Sequence, residues 1–332
     1  MPKAVSLFSG CGGSDAGIIR AGFDVVMAND ILPYARDTYL ANHPETDYVL
    51  GDIRGIDSFP EAELLVGCYP CQGFSQGGAR EADRNINLLY KEFAKALSHI
   101  QPKAFIVENV SGMRRSTYQH LLEDQLKTFR ETGPLGYNVV WQQLNAHDYG
   151  VPQERKRLII VGIRNDFNLT YEFPQPSHGP GRDNEYVTIQ RALAGLPDWP
   201  AGEFCEDEFH WYYMSRNRRR DWNEISKTIV SHMRHMPLHP ISPALERIHT
   251  DKWVFSEDRP ARRFSYREAA RLQGMTSRYT HHGGDMIFPE EVLSGKSNTA
   301  YNVLRQRYKV VGNAVPPPLF EAVAKNLPNI WD

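Results

Sequence analysis

The sequence predicts an α/β protein: a doubly wound, mostly parallel sheet with helices on its faces, followed by a small loop-rich domain. Three observations predict it. Over the first 165 residues short apolar runs alternate with helical patterns, the order that a parallel sheet with crossover helices requires. The first apolar run breaks into a glycine turn that opens a helix, the place where a doubly wound sheet takes its ligand. Beyond Tyr171 the stretch FPQPSHGPGRDNEY changes the composition to proline, glycine and polar residues, which marks a boundary.

Seven strands are expected, in order, at AVSLF (4–8), VVMAND (25–30), YVLGDI (48–53), ELLVGC (63–68), AFIVEN (104–109), YNVVWQQLN (137–145) and RLIIVGI (157–163). Helical patterns lie between them at about 14–22, 34–42, 87–99 and 117–131. In LLYKEFAKALSHI, Leu89, Phe93, Leu97 and Ile100 recur at helical spacing and are expected in the core. The second region, 173–300, mixes aromatic, Arg, His and Pro residues without a long periodic element. A final segment, 301–332, contains VVGNAVPPPLFEAVAKNLPNI, read as a turn, a proline-started helix and a stop.

Composition excludes several classes. Four cysteines in 332 residues are too few for a disulfide scaffold. The start, MPKAVSLFSGCGG, lacks the basic and apolar regions of a secretory signal, and the longest aliphatic run, LIIVGI, cannot span a bilayer. A cytoplasmic setting without membrane attachment is expected. A net charge of −2 does not announce a nucleic-acid binder, yet from Trp211 to His235 six Lys and Arg residues face two acids, with Trp, Tyr and His interleaved. That cluster reads either as a solvated basic face or as a nucleic-acid contact.

Three features carry chemistry. In SGCGGSDAGI the third position of the dinucleotide fingerprint is Asp15 rather than glycine, which argues against a pyrophosphate grip but not against another nucleoside cofactor. Asp30, with apolar Ile31 beyond it, and Asp52, beside Ile53, end the second and third strands; carboxylates there can hold ribose hydroxyls and an exocyclic amine. Cys68 and Cys71 stand in CxxC spacing. A zinc site would need two further ligands, and the other cysteines, Cys11 and Cys205, are isolated. A redox pair fits poorly before the loop QGFSQGG. One cysteine is left as a candidate nucleophile.

With Pro70-Cys71-Gln72 after the fourth strand and Glu108-Asn109-Val110 at the end of the fifth, the sequence resembles the bacterial DNA (cytosine-5)-methyltransferases. FSGCGG, the acid at Asp30, GDI, PCQGFS, ENV, QERKR, REAARLQGM and VGNAVPP follow one another in the family's order over nearly the whole chain. A lesser match, YMSRNRRRDWNEISKTI followed by LHP, resembles the recognition region of enzymes that modify GGCC-type sites, although VSHMRHM departs from them.

The resemblance implies a Rossmann-like S-adenosylmethionine-dependent catalytic domain over 1–172, a target-recognition domain over 173–300 with REAARLQGM as a hinge helix, and a segment from 301 that returns to the catalytic domain. It implies S-adenosylmethionine as methyl donor, no metal, and double-stranded DNA as substrate. Phe8, Gly10, Gly12 and Gly13 would line the donor pocket with Pro70; Asp30 would hold the ribose, Ile31 and Ile53 would sandwich the adenine, Asp52 would take its amine, and Asn313 would close the site. Cys71 would add to carbon 6 of a flipped-out cytosine, because carbon 5 is otherwise too electron-poor to attack a sulfonium methyl. Glu108 would hold or share a proton at ring nitrogen 3.

Gln153, Arg155 and Arg157 alternate, so the two guanidinium groups are expected on one strand face toward the pocket. The loop from Phe74 to about Asn87 reads as a lid, and Cys68 as a structural residue. Arg216, Arg218 and Arg220 alternate and, with Thr228 and Arg234, are expected at the DNA, with guanine as the favoured target of the arginines. A monomer is expected, with a cognate restriction endonuclease as a functional rather than physical partner. A tRNA cytosine-5 methyltransferase and a catalytically silent DNA-binding module remain the alternatives.

Overall fold

A computed structural model describes residues 1–70, 88–110, 112, 118–289 and 299–331. Its main sheet contains β1 (Lys3–Leu7), β2 (Asp24–Asp30), β3 (Asp47–Leu50), β4 (Leu64–Gly67), β5 (Ala104–Val110), β6 (Tyr137–Asn145) and β7 (Lys156–Arg164), in the order β3-β2-β1-β4-β5-β7-β6. All seven expected strands are therefore present, with ends that shift by up to three residues. The five strands from β3 to β5 are parallel, while β7 enters antiparallel between β5 and β6. The chain winds outward in both directions from β1 and β4, and the crevice above that pair is the topological switch point.

Helices α1 (Gly13–Arg20), α2 (Pro33–Asn42), α3 (Leu89–Ile100) and α4 (Gln119–Glu131) follow the four helical patterns. Alternating strand residues feed two apolar layers. On one face Val5, Leu7, Leu65, Phe105 and Val107 pack with Phe93 and Leu97 of α3 and Phe129 of α4. On the other, Ala4, Leu64, Val66 and Ile106 pack with Ile18 of α1 and with Leu319, Phe320 and Val323 of α9 (Pro317–Lys325). The last helix thus lies on the first. Gly17 permits it: a Cβ there would stand 2.5 Å from the Pro317 carbonyl oxygen and 2.8 Å from Phe320 Cβ.

The region after Tyr171 has short elements: α5 (Ile189–Leu193), α6 (Trp211–Met214), the hairpin β8 (Leu245–His249) with β9 (Lys252–Phe255), and α7 (Tyr266–Leu272). Its core joins Ile229, Phe264, Ala269 and Leu272 to Tyr308 and Val311 of α8 (Ala300–Asn313). The expected turn at VGN is the last turn of α8. Helix α8 therefore serves the second core and α9 the first, dividing the final segment between them. Residues 278–287 also turn back: Arg278 and Tyr279 bond Glu321 on α9, and Asn42 of α2 pairs with the Ile287 backbone through its amide nitrogen and oxygen, each at 2.9 Å.

Helix α7 starts with a capping box of Ser265 and Glu268. The fully buried Arg262 grips Glu268 with two bonds of 2.8 and 2.7 Å. His239 accepts the Ile241 N–H at Nδ1, which leaves Nε2 as its donor, 3.4 Å from Glu268. Burial, aided by Arg262, pushes His239 down to about 3, and burial, aided by His281, pushes His43 down to about 4.

Two outcomes follow from these contacts. Gly17→Ala should lower stability by roughly 1–3 kcal/mol through overpacking, read as a fall in melting temperature of about 2–4 °C per kcal/mol. His43 and His239 are neutral in the fold but accept protons at about pH 6.5 once unfolded, so the unfolded chain binds more protons on acidification. Their stability contribution is complete above pH 6.5 and falls as the pH drops toward 5, by up to about 1.4 kcal/mol per pH unit for each histidine. Urea midpoints at pH 8, 6 and 5 check this; an unchanged midpoint would contradict it.

Candidate active site

The C-terminal ends of the parallel strands form one rim. After β1 the backbone enters the left-handed region at Phe8 (φ 57°), Gly10 (φ 56°) and Gly12 (φ 86°). A bulky residue with positive φ is uncommon, and such conformations persist where surroundings enforce them, often at ligand sites. Here the Phe8 ring meets Tyr69 edge-on, with centroids 5.9 Å apart. The turn is fixed across the rim by Asp30, whose Oδ2 accepts the Gly10 N–H and whose Oδ1 accepts the Leu32 N–H, both at 3.0 Å. Burial pushes the Asp30 carboxyl above its usual range, against these N–H groups, which hold it down. Asn29 ties the ends of β2 and β3 through its amide nitrogen, 2.8 and 3.0 Å from the carbonyls of Val49 and Gly51.

This edge fits a nucleoside donor. A Cβ on Gly10 would meet nothing within 4 Å, the Asp30 carboxylate is held toward the turn by backbone N–H groups, and Ile31 offers an apolar side chain that is 58% exposed. Gly13 lies against the segment after α8, where a Cβ would stand 2.3 Å from the Val315 oxygen. The exposed Asn313 at the end of α8 stands beside that contact. Pro70, half-buried, is the last described residue after β4.

Two expectations are corrected on this side. Ile53 starts a 3₁₀ turn rather than ending β3, and it is 6% exposed within the core, so only Ile31 presents an apolar face. Asp52 is chelated by its neighbour Arg54, whose backbone N–H and Nε bond its Oδ1 at 3.0 and 2.9 Å. Arg54 holds this half-buried carboxyl down at about 2.

The other half of the rim belongs to β4, β5 and β7. Because β7 runs antiparallel, its first residues stand beside the last residues of β5, with Val110 opposite Arg157 and Glu108 opposite Ile159. The diagonal brings Arg157 Nε to 2.5 Å from Glu108 Oε1, a contact ion pair with 8% of Glu108 exposed. Beside it Asn109 accepts the Val110 N–H at 2.7 Å, and its amide nitrogen is buried without a partner among the described residues. Cys68 is packed behind the strand ends, and burial, then the charge of Glu108, pushes its thiol well up. It is thus a poor nucleophile. Cys71 and the expected lid lie outside the described residues.

Gln153 and Arg155 do not face this rim. Strand β7 begins only at Lys156, so the expected alternation does not extend to them. Gln153 is fully buried, donates to the Leu272 carbonyl at 2.9 Å and to Gln273 at 2.7 Å, and accepts the Ile229 N–H at 2.9 Å. Arg155, 2% exposed, donates to the carbonyls of Ile229, Gly312 and Ala314 at 2.9, 3.1 and 2.9 Å. Gly312 makes this junction possible, since a Cβ there would stand 2.3 Å from the Val230 backbone.

The arginine row of the second lobe is also rearranged. Asn217 at φ 32° interrupts the extended run. Arg216 is exposed, while Arg218 turns inward onto the His235 carbonyl and Arg220 reaches Glu224 at 3.4 Å. Arg234 is exposed but paired with Asp207 at 2.5 Å, and the Thr228 hydroxyl donates to the Glu154 carbonyl at 2.5 Å.

The sequence reading missed Asp15 as a structural hub. It is wholly buried and accepts hydroxyls from Ser6, Ser14 and Tyr39 at 2.6, 2.9 and 2.8 Å. Burial pushes its carboxyl up, and these hydroxyls oppose the shift. Its one signal was the place it occupies, where the dinucleotide fingerprint has its third glycine.

A glycine turn and strand-end carboxylate on one side of the switch point, and a buried carboxylate–guanidinium pair on the other, define a doubly wound α/β protein of the class that works at the carboxyl ends of its strands. Residues 2–329 match the family described as C-5 cytosine-specific DNA methylase. The chain is 36% identical to the Type II methyltransferase M.BspRI of Lysinibacillus sphaericus, covering 98% of this chain and 81% of that protein. It is 34% identical to M.NgoPII of Neisseria gonorrhoeae, covering 97% and 94%. In fold it is similar to a prophage-encoded DNA modification methyltransferase from E. coli, at TM-score 0.68 and 23% identity over 98% of both chains. It is also similar to the S. pombe Dnmt2 methyltransferase, at TM-score 0.61 and 20% identity over 98% of this chain and 96% of that one. The chain belongs to the C-5 cytosine-specific DNA methylase family.

Arg155 and Arg157 should separate cleanly on mutation. Arg155→Met leaves three buried carbonyls without their donor and is expected to cost roughly 3–5 kcal/mol of stability. Arg157→Met strands the buried Glu108 carboxylate, so it should also cost on the order of 3–5 kcal/mol of stability, and it should lower methyl transfer by the protein that stays folded. Chemical denaturation alongside methyl transfer per folded molecule measures both, and an equal loss of transfer per folded molecule in the two variants would contradict the division.

Proposed function

We propose that this DNA (cytosine-5)-methyltransferase works through a covalent Cys71 adduct on a cytosine swung out of duplex DNA, with Glu108 and Arg157 as its proton-handling pair. The carrying observation is the contact between Arg157 and Glu108 at the mouth of the switch-point crevice, one strand away from the segment that leads from Pro70 into Cys71. The cytosine-5 reaction itself is that of the family.

The thiolate of Cys71 forms the S–C6 bond, and the ring electrons move toward nitrogen 3. Glu108 supplies or shares the proton there, and Arg157 orients the carboxyl. The displaced double bond makes carbon 5 a nucleophile. S-adenosylmethionine, held at the Phe8–Gly13 turn and by Asp30, Ile31 and Asn313, would supply the electrophilic methyl group. Transfer of that methyl would leave the donor as its neutral thioether, S-adenosylhomocysteine; water then takes the carbon 5 proton, the freed electron pair expels the Cys71 thiolate, and the nitrogen 3 proton returns to Glu108 as the ring regains its aromaticity. The half-buried thiol at Cys68, pushed well up by its surroundings, supports a silent role for that residue. Extruding the base costs a few kcal/mol, offset by contacts that include the second lobe.

For the target, we favour a G/C-rich duplex site of the GGCC type. The exposed Arg216 and the surface Arg234 support it, as arginine reads guanine by paired hydrogen bonds worth about 1–3 kcal/mol. Both lobes come from one chain, which supports action as a monomer. The relatives named Type II methyltransferases support a restriction–modification setting in the cytoplasm, in which a cognate endonuclease shares the site.

Incubation with 5-fluorocytosine duplexes and S-adenosylmethionine should trap a protein–DNA adduct at Cys71, because fluorine at carbon 5 cannot leave as a proton does. Cys71→Ser should abolish adduct and methyl transfer, Cys68→Ser should retain both, and Glu108→Gln should lower the rate roughly 10²–10⁴-fold. Mapping 5-methylcytosine in DNA from expressing cells reads the site; methylation that survives Cys71→Ser would overturn the mechanism.

A further inference from the structure

The second lobe carries a row of rings that the mechanism above does not use. Trp211 and Tyr212 on α6 are 54% and 55% exposed, although large aromatic side chains usually find cover. They are not isolated. The Trp211 and Tyr212 centroids are 6.0 Å apart, Tyr212 and Tyr213 5.7 Å, Tyr213 and His235 4.4 Å, and His235 and His232 4.4 Å, the last pair stacked at 28°. Five rings thus form a continuous chain of contacts, with Trp211, Tyr212 and His232 exposed and Tyr213 and His235 half-buried between them.

The line rests on a stiff base. His210 caps α6 by accepting the Tyr212 N–H at 3.3 Å. The buried Arg263 lies 4.1 Å over the ring of Phe209 and bonds the carbonyls of Asp207 and Arg234 at 2.7 and 3.1 Å. Positive charge surrounds the rings. Arg216 and Arg218 act on His235, while Arg234, Arg305 and Lys309 act on His232, the last two from α8. Burial first, then His232, Arg218 and Arg216, pushes His235 down to about 4, so its ring is uncharged at neutral pH and presents an aromatic face.

We propose that the Trp211–Tyr212–Tyr213–His235–His232 line is a base-stacking platform that receives bases unstacked from duplex DNA around the target, adding shape readout to the arginine contacts. Because neighbouring rings are set at 90°, 75° and 45° to one another, they offer separate faces to separate bases within a cationic border, complementary to exposed bases on a phosphate backbone. The proposal rests on the reading of this chain as a DNA methylase and adds a recognition role to α6, which is too short to contribute through its dipole.

The test separates stacking from charge. Affinity for a target duplex is measured by fluorescence anisotropy across a salt series for the wild type, Trp211→Ala, Tyr212→Ala, Trp211→Phe and Arg216→Ala. Each ring-to-alanine change should weaken binding roughly 10- to 100-fold with an unchanged slope of log affinity against log salt. Trp211→Phe should stay near wild type. Arg216→Ala should reduce the salt slope by about one phosphate contact. 2-Aminopurine placed through the site should change its emission at one position on wild-type binding and lose that change in Trp211→Ala. Wild-type affinity in both alanine variants, or a salt slope reduced as in Arg216→Ala, would overturn the proposal. Methyl transfer and the Cys71 adduct are scored separately, so failure of the catalytic reading shows there and not in the binding series.

Discussion

One buried guanidinium joins the three parts of this molecule. Arg155 takes the carbonyls of Ile229, Gly312 and Ala314 at once, so the approach to β7, the inner edge of the second lobe and the returning C-terminal segment meet at a single group. Gln153 adds the end of α7 to the same junction. Burying a charge is costly unless its donors are used, and here three backbone acceptors share it. The need to keep them in reach fixes how closely α8 approaches residues 229–231, and only glycine at 312 allows the distance.

With that junction fixed, the polarity of the sheet determines where the chemistry gathers. Parallel strands deliver Phe8, Asp30 and Glu108 to one rim, because each strand ends there. An additional parallel strand would have carried its own last residues to the rim and its first to the far side. By running antiparallel, β7 instead brings the residue at its start, Arg157, to Glu108. A basic residue near the start of β7 and an acidic residue near the end of β5 become partners through strand direction alone.

Much of this was legible in the sequence. Apolar periodicity locates seven strands and four helices, and several of the ordered motifs fall at the strand ends that make the rim. The misses share a cause. Alternation in QERKR was extrapolated to residues that precede the strand, where Gln153 and Arg155 follow an irregular path into the junction. The arginines at 216, 218 and 220 were read as one extended face, but a left-handed Asn217 turns the chain between them. Strand direction, left-handed residues outside glycine and burial of polar groups depend on distant segments, and a local pattern carries no record of them. Asp15 was passed over for that reason: its three hydroxyl partners come from β1, α1 and α2.

The packing of α9 over α1 bears on how the molecule is made. Ile18 and Phe23 are made long before Leu319, Phe320 and Val323, which complete their cover. While the ribosome is still producing the second lobe, that side of the sheet lacks this part of its packing. The glycine turn gains its neighbour Val315 at the same stage, so the rim beside β1 is not whole until α9 has been made.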